Sequence, residues 1–239
     1  MTDRGVAGLA KRFAAMLAAH AAHGRAISAL HGTGEVTLRD GLVVAAAAAG
    51  ARLNQAWIIR RESVPKGWRN TPVDLLIKRR NGQGRVVLVG GVELKWWRQD
   101  DARNSANRRR DLLRDMVRAA ALYAQAEEFA FVALLTTTAS WTSTTVTKGS
   151  DKGAMTLLAA SGVQQWNLGK MRSSKSLMRA IASLRAQVPI CNVFHTELLS
   201  EFTLNDAGKT TVFAKVWKIR KPQNSKLLDD AAIRALVSA

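Results

Sequence analysis

The element order readable in this 239-residue chain is helix, three strands, helix, strand, which predicts an α/β fold with a mixed central sheet flanked by helices. Three observations carry that expectation. Asn81-Gly82-Gln83-Gly84 joins apolar runs at 73–77 and 85–97, a hairpin signal. Leu112, Met116, Ala120 and Tyr123 recur at helical spacing within a helix expected over 105–127. The continuous apolar run at 129–135 reads as a central strand buried on both faces.

The remaining elements follow in order. An Ala-rich N-terminal stretch reads as an amphipathic helix with Leu9, Phe13, Met16 and Leu17 on one face, ended by Gly32-Thr33-Gly34. A second helix is expected over 35–54, and Trp57-Ile58-Ile59 begins a strand. Pro65-Lys66-Gly67 is turn chemistry, and Gly90-Gly91 inside the third strand suggests a bulge. Residues 136–153, rich in Ser, Thr and Gly, are expected to form a long surface loop. A short strand at 163–166 and a helix at 174–188 come next. Two alternating strands at 192–204 and 210–220 are joined through Asn205-Asp206-Ala207-Gly208, and a helix over 227–237 closes the chain. This divides the chain into a helical extension (1–31), a core (32–170) and a C-terminal helix, strand pair and helix (171–239) packed on the same domain.

Charge narrows the partners. With 36 Lys+Arg against 18 Asp+Glu the formal charge is +18, although hydrophobic content is an ordinary 47%. Such a surplus attracts polyanions, either nucleic acid or an anionic membrane surface. The longest apolar run, 42–51, is about half of the roughly 20 residues a spanning helix needs, so no membrane association is expected. A lone cysteine, Cys191, excludes an internal disulfide framework and a cysteine-rich zinc module. His20, His23 and His31 have no acids or cysteines at ligand spacing, and His195 on an alternating strand reads as structural. The expected location is cytoplasmic.

Chemistry is expected where charge interrupts apolar strands. Asp74 opens the 73–77 run. Glu93 and Lys95 alternate with Val92, Leu94 and Trp96, so both charges share one strand face. The hairpin pairs the two strands antiparallel and can bring Asp74 close to Glu93. Close carboxylates repel unless a cation separates them, and a hard divalent ion suits that pair. Lys95 would orient or deprotonate a metal-bound water, or stabilise charge building on a phosphate. Composition alone yields about one acid-x-Lys triplet by chance, so the strand context carries the argument. The alternative is a half-exposed edge strand with a surface Glu–Lys pair of little energetic weight.

Pro72-Val73-Asp74 followed by Glu93-Leu94-Lys95 resembles the signature of the PD-(D/E)xK nuclease superfamily, with one extra residue between the proline and Asp74. The resemblance spans 35–135, under half of the chain. It implies a restriction-endonuclease-like mixed sheet flanked by helices, here with an added N-terminal helix and a C-terminal strand pair plus helix. It also implies that Asp74 and Glu93 ligate Mg²⁺ or Mn²⁺ with the Leu94 carbonyl as third ligand, and that Lys95 positions the attacking water. Glu35, at the start of the first core helix, matches a further acid found in many members, and Glu62 is its rival. The implied activity is divalent-metal-dependent hydrolysis of phosphodiester bonds, with DNA expected ahead of RNA. The alternative is an inactive nuclease-like fold that binds nucleic acid or serves assembly. The oligomeric state stays open, a homodimer being one option.

Further basic groups are Arg108-Arg109-Arg110, Lys78-Arg79-Arg80 with Arg85, Lys170, Arg172 and Lys175, and Lys215, Lys218, Arg220 and Lys221. A phosphate-tracking surface requires several of them to ring the Glu93 face. Arg114 and Arg118, interleaved with Asp111 and Asp115, read as a solvated, salt-bridged helix face. The triple arginine is less neutralised, and at a helix N-terminus it opposes the dipole, a mildly unfavourable arrangement that bound phosphate would relieve. Trp97 shares the Glu93–Lys95 face, where it would stack on a base or line the site's rim, and Trp96 points into the core. Packing is expected ahead of stacking for every tryptophan.

Overall fold

The structure is a computed structural model and describes residues 1–26, 34–97, 104–146, 149–205 and 212–238. Helix α1 (Asp3–Ala26) and helix α2 (Glu35–Arg52) precede three strands, β1 (Trp57–Ser63), β2 (Val73–Arg80) and β3 (Val86–Trp97). Helix α3 (Ser105–Tyr123) leads to strand β4 (Phe129–Thr137), then α4 (Thr138–Thr145), α5 (Lys152–Ala159), β5 (Val163–Asn167) and a 3₁₀ turn (Leu168–Met171). The chain ends with α6 (Lys175–Leu184), β6 (Ile190–Cys191), β7 (Val193–Leu204), β8 (Val212–Arg220), β9 (Leu227–Leu228) and α7 (Asp230–Val237). The breaks expected at Gly32-Thr33 and at Asp206-Ala207-Gly208, together with His31, lie outside the described residues.

Seven strands form one mixed sheet in the order β1-β2-β3-β4-β8-β7-β5, with β6 and β9 as a separate pair. Only β3 and β4 run parallel, because α3 carries the chain back between them; the other sheet neighbours are antiparallel. All nine residues of β4 are buried, as its unbroken apolar run requires. Phe129, Phe131, Ala133 and Leu135 pack toward α1 and α2, while Ala130, Val132 and Leu134 pack with α3, α5 and α6. The result is a mixed α/β sheet between two helical layers. Among the described residues no helix is long and apolar enough to cross a membrane.

Two expectations require correction. The segment 136–153 is not a loop: it contains α4 and the start of α5. Thr137 caps α4 by accepting a hydrogen bond from the Ser140 N–H at 3.1 Å, and Ser140 and Thr144 are buried. Its hydroxyl-rich composition is therefore compatible with a short helix whose ends satisfy themselves. Residues 227–237 split into β9 and a shorter α7, which Asp229 caps through the Ala232 N–H at 2.7 Å.

The expected bulge is present. Ile77 pairs with Gly90 but Lys78 with Leu88, leaving Val89 as the extra residue. Gly90 and Gly91 beside it are needed for contact rather than for φ. A Cβ on Gly90 would meet the Phe129 carbonyl at 2.6 Å, and one on Gly91 the Leu75 carbonyl at 2.8 Å.

Asp151 ties three elements together. It accepts hydrogen bonds from Ser174 Oγ (2.9 Å), Ser176 N (2.9 Å), Ser176 Oγ (2.6 Å) and Arg109 Nε (3.2 Å), linking the start of α5 to α6 and α3. Burial pushes this carboxyl up, but the hydrogen bonds from Ser176 and Ser174 and the Arg109 charge outweigh it and hold it below its ordinary value.

Gly90→Ala or Gly91→Ala is expected to lower stability by about 1–3 kcal/mol, read from the urea midpoint. Gly82→Ala, with open space around it, serves as the neutral control. Asp151→Asn is expected to cost about 1–3 kcal/mol at pH 7. Because the folded carboxyl titrates lower than the unfolded one, that difference is full above about pH 5 and shrinks as the pH falls through the folded value, below about 4. Urea midpoints of both proteins measured from pH 7 to 3 check the sign.

Candidate active site

The pairing of β2 with β3 ends at Leu75 and Val92, and β3 continues alone on that side to Trp97. Its next N–H groups facing the vacated side are capped by carboxylates. Asp74 Oδ2 accepts from the Leu94 N–H at 2.8 Å, and Glu35 Oε1 from the Trp96 N–H at 3.0 Å. Glu35 is the first residue of α2, so it also complements the helix dipole. In an extended strand a residue's carbonyl points the same way as its N–H, which aims the Leu94 carbonyl at the same side.

Glu93 and Lys95 project from the face of β3 that meets α3, as their alternation predicts. Glu93 is fully buried, at 1% exposure. Its Oε1 lies 3.1 Å from Arg118 Nη2. Burial pushes its carboxyl well above the ordinary range; Arg118 pulls it back, while the Asp115 and Asp74 charges raise it further. Lys95 Nζ lies 3.2 Å from Asp115 Oδ2. Burial acts to lower the Lys95 value, but Asp115, Glu35 and Asp74 outweigh it and hold the ammonium above its ordinary value. Lys95 thus holds its positive charge more firmly than an ordinary lysine, which suits orienting water or stabilising phosphate charge. The Asp74 charge thus acts on Glu93 and Lys95, and the Glu35 charge on Lys95, at one end of β3.

Asp115 is the residue that sequence reasoning misplaced. It is 0% exposed and also pairs with Arg118 Nη1 at 3.3 Å and Arg114 Nε at 3.9 Å. Burial raises its carboxyl against the pull of Lys95, Arg118 and Arg114. Asp115 and Arg118 thus point into the protein, not to solvent, and Arg118 also donates to the Pro72 carbonyl. An acid and an arginine three apart match a surface pair equally well; only the charged face of β3 opposite them explains their burial.

Arg39 on α2 bridges two acids, Asp74 Oδ1 at 2.8 Å and Glu62 Oε1 at 2.7 Å. Glu62 remains 65% exposed and reaches the cluster only through Arg39, so of the two rival acids Glu35 is the one held against β3. Among the described residues no three His, Cys, Asp or Glu side chains are grouped to hold a metal. The oxygen atoms that a hard ion would meet at this strand end are those of Asp74, Glu93 and the Leu94 carbonyl. The buried Glu93 Oε1 fits that role, since it has no hydrogen-bond donor despite its ionic contact.

Trp97 is packed, the reading expected ahead of stacking. It is 5% exposed and stacks on Trp141 at 6.3 Å, which in turn stacks on Trp217 at 6.1 Å. Trp96 lies in the opposite layer, as expected. The basic groups do not ring the Glu93 face. Arg79 lies at the far end of β2, paired with Glu127 and Glu128. Lys170 and Arg172 follow β5, the edge strand at the other side of the sheet, and Lys175 opens α6, whose Ser176 is tied through Asp151 to Arg109 at the start of α3. Lys218 and Arg220 are paired with Asp3, and Arg220 also with Glu197. In the triple arginine, Arg109 is committed to Asp151 and the Thr144 carbonyl, Arg110 to Asp111, and Arg108 is buried. Lys215 alone of its group shares the row of Lys95, through Leu134, and it is bound to Glu201 at 2.6 Å. No family model matches the chain, and no curated protein or solved structure is significantly similar to it.

Asp115→Ala would leave Lys95 and Arg118 without their shared buried anion, an expected loss of about 3–5 kcal/mol in urea unfolding. Asp111→Ala, on the half-exposed side of the same helix, is expected to stay within about 0.5 kcal/mol.

Proposed function

We propose that the chain is a divalent-metal-dependent nuclease of the PD-(D/E)xK type, hydrolysing phosphodiester bonds in nucleic acid, with DNA ahead of RNA. The observation that carries this reading is the convergence of Asp74, Glu93, Lys95 and Glu35 where β2 leaves β3. The sequence of α2, an antiparallel run β1–β3, α3 and a parallel β4 supports a restriction-endonuclease-like core. In that reading Asp74, Glu93 and the Leu94 carbonyl hold Mg²⁺ or Mn²⁺. The ion would supply Lewis acidity toward a phosphoryl oxygen and make water a better nucleophile.

The chain's own residues do the rest. Lys95, held protonated by Asp115, donates toward water or a non-bridging oxygen and offsets charge developing on phosphorus. Glu35 accepts the Trp96 N–H and keeps a negative charge beside Lys95, which fixes the strand end and the ammonium together. The surplus of 18 positive charges draws in the polyanion, and binding weakens as salt rises. A cytoplasmic setting goes with an intracellular nucleic acid as substrate.

A second reading has its own observation. Both proposed carboxylate ligands already pair with an arginine, Asp74 with Arg39 and Glu93 with Arg118. A permanent cation in that place would leave a fold that binds nucleic acid without cutting it, for assembly or regulation.

Cleavage of plasmid DNA, linear DNA and RNA by the purified chain with Mg²⁺ or Mn²⁺ separates the two. Glu93→Gln and Lys95→Ala are each expected to lower cutting at least about 100-fold while mobility-shift binding in EDTA survives. Cutting at the wild-type rate by both variants would overturn the nuclease reading. Binding without cutting by the wild type would establish the second.

A further inference from the structure

The two arginines share a design that the reading of a metal centre does not by itself require. Arg39 holds Asp74 with Nη2 at 2.8 Å and Glu62 with Nη1 at 2.7 Å. Arg118 holds Glu93 with Nη2 at 3.1 Å and Asp115 with Nη1 at 3.3 Å. Each guanidinium thus grips one proposed metal ligand with one nitrogen and a carboxylate outside the ligand set with the other. The geometry points to an exchange: Arg39 and Arg118 are resident counter-ions that a divalent ion displaces, and Glu62 and Asp115 are the carboxylates to which they retreat.

The proposal rests on the metal-centre reading above and names how that site is regulated. A buried carboxyl on which a second acid acts either takes up a proton or keeps a positive charge beside it. Arginine supplies it when no divalent ion is present. Leaving is made easier because the grip is incomplete. The Nε atoms of Arg39 and Arg118 are buried without acceptors, and Glu93 Oε1 receives no well-formed hydrogen bond from Arg118. Retreat is possible because neither arginine would lose its last anion, and Arg118 also keeps the Pro72 carbonyl. Both side chains are only 10–11% exposed, so movement between two carboxylates avoids stranding a charge in the interior.

Mn²⁺ titration of the full chain, followed by electron paramagnetic resonance without nucleic acid, tests the exchange. Arg39→Gln and Arg118→Gln each remove a competitor and are expected to tighten Mn²⁺ binding about tenfold. Arg114→Gln removes an equal charge that touches Asp115 but neither ligand, and is expected to change it less than about threefold. Glu62→Gln removes a retreat site on an exposed side chain, so Arg39 stays on Asp74 and binding weakens. This variant keeps the test open should Arg118→Gln fail to fold. Wild-type binding that is lost in Glu93→Gln, yet no tighter in Arg39→Gln or Arg118→Gln than in Arg114→Gln, overturns the exchange and leaves the metal centre standing. Tighter or unchanged binding in Glu62→Gln also overturns it. Absence of Mn²⁺ binding in the wild type and all variants overturns the metal centre and the exchange together.

Discussion

A strand that outruns its neighbour must satisfy its backbone by other means, and the candidate site is organised around that requirement. Beyond Val92, β3 has no β2 backbone beside it, and the N–H groups of Leu94 and Trp96 turn to Asp74 and Glu35. A charged acceptor on a backbone donor is a strong hydrogen bond, so each carboxylate is located by the strand itself. Asp74 comes from the end of β2 and Glu35 from the start of α2. A hairpin partner and a helix distant in sequence thus meet β3 at its two otherwise unpaired peptide groups.

The other half of the site is a layer of charge between β3 and α3. Buried ion networks contribute little net stability, because desolvation offsets most of the attraction. What this one contributes is position. Lys95 and Arg118 share Asp115, and Arg118 joins Glu93 to the Pro72 carbonyl, so shifting α3 along β3 would expose several mismatched charges at once. The apolar residues on the same helix, Leu112, Met116 and Ala120, give it adhesion but a less exact register.

Most of the sheet was legible in the sequence, since apolar periodicity and turn chemistry are local. The hairpin at Asn81 to Gly84, the bulge beside Gly90 and the buried β4 each follow from a few neighbouring residues. The alternation that places Glu93 and Lys95 on one face is equally local. Partners across the fold were not legible. Asp115 and Arg118 carry the pattern of a surface pair and become buried only because β3 brings opposite charges to them. Arg39 gives no local sign that it joins Asp74 to Glu62. The 136–153 segment misled for a related reason: Ser and Thr signal a loop by composition, yet here they cap and fill a short helix around Trp141.

The place of β8 in the sheet bears on how the chain is made. Strand β4 is apolar on both faces, and one of its edges is covered by β8, which lies far downstream of it in sequence. Until Val212 to Arg220 emerges, β4 presents a hydrophobic, unpaired edge, the template on which other chains add strands. Helix α1 packs against β7 and β8 as well, so the first helix waits for the last two sheet strands. The sheet therefore closes only after the stretch from α1 to β8 has been synthesised. That makes the nascent chain slow to fold and dependent on protection from aggregation.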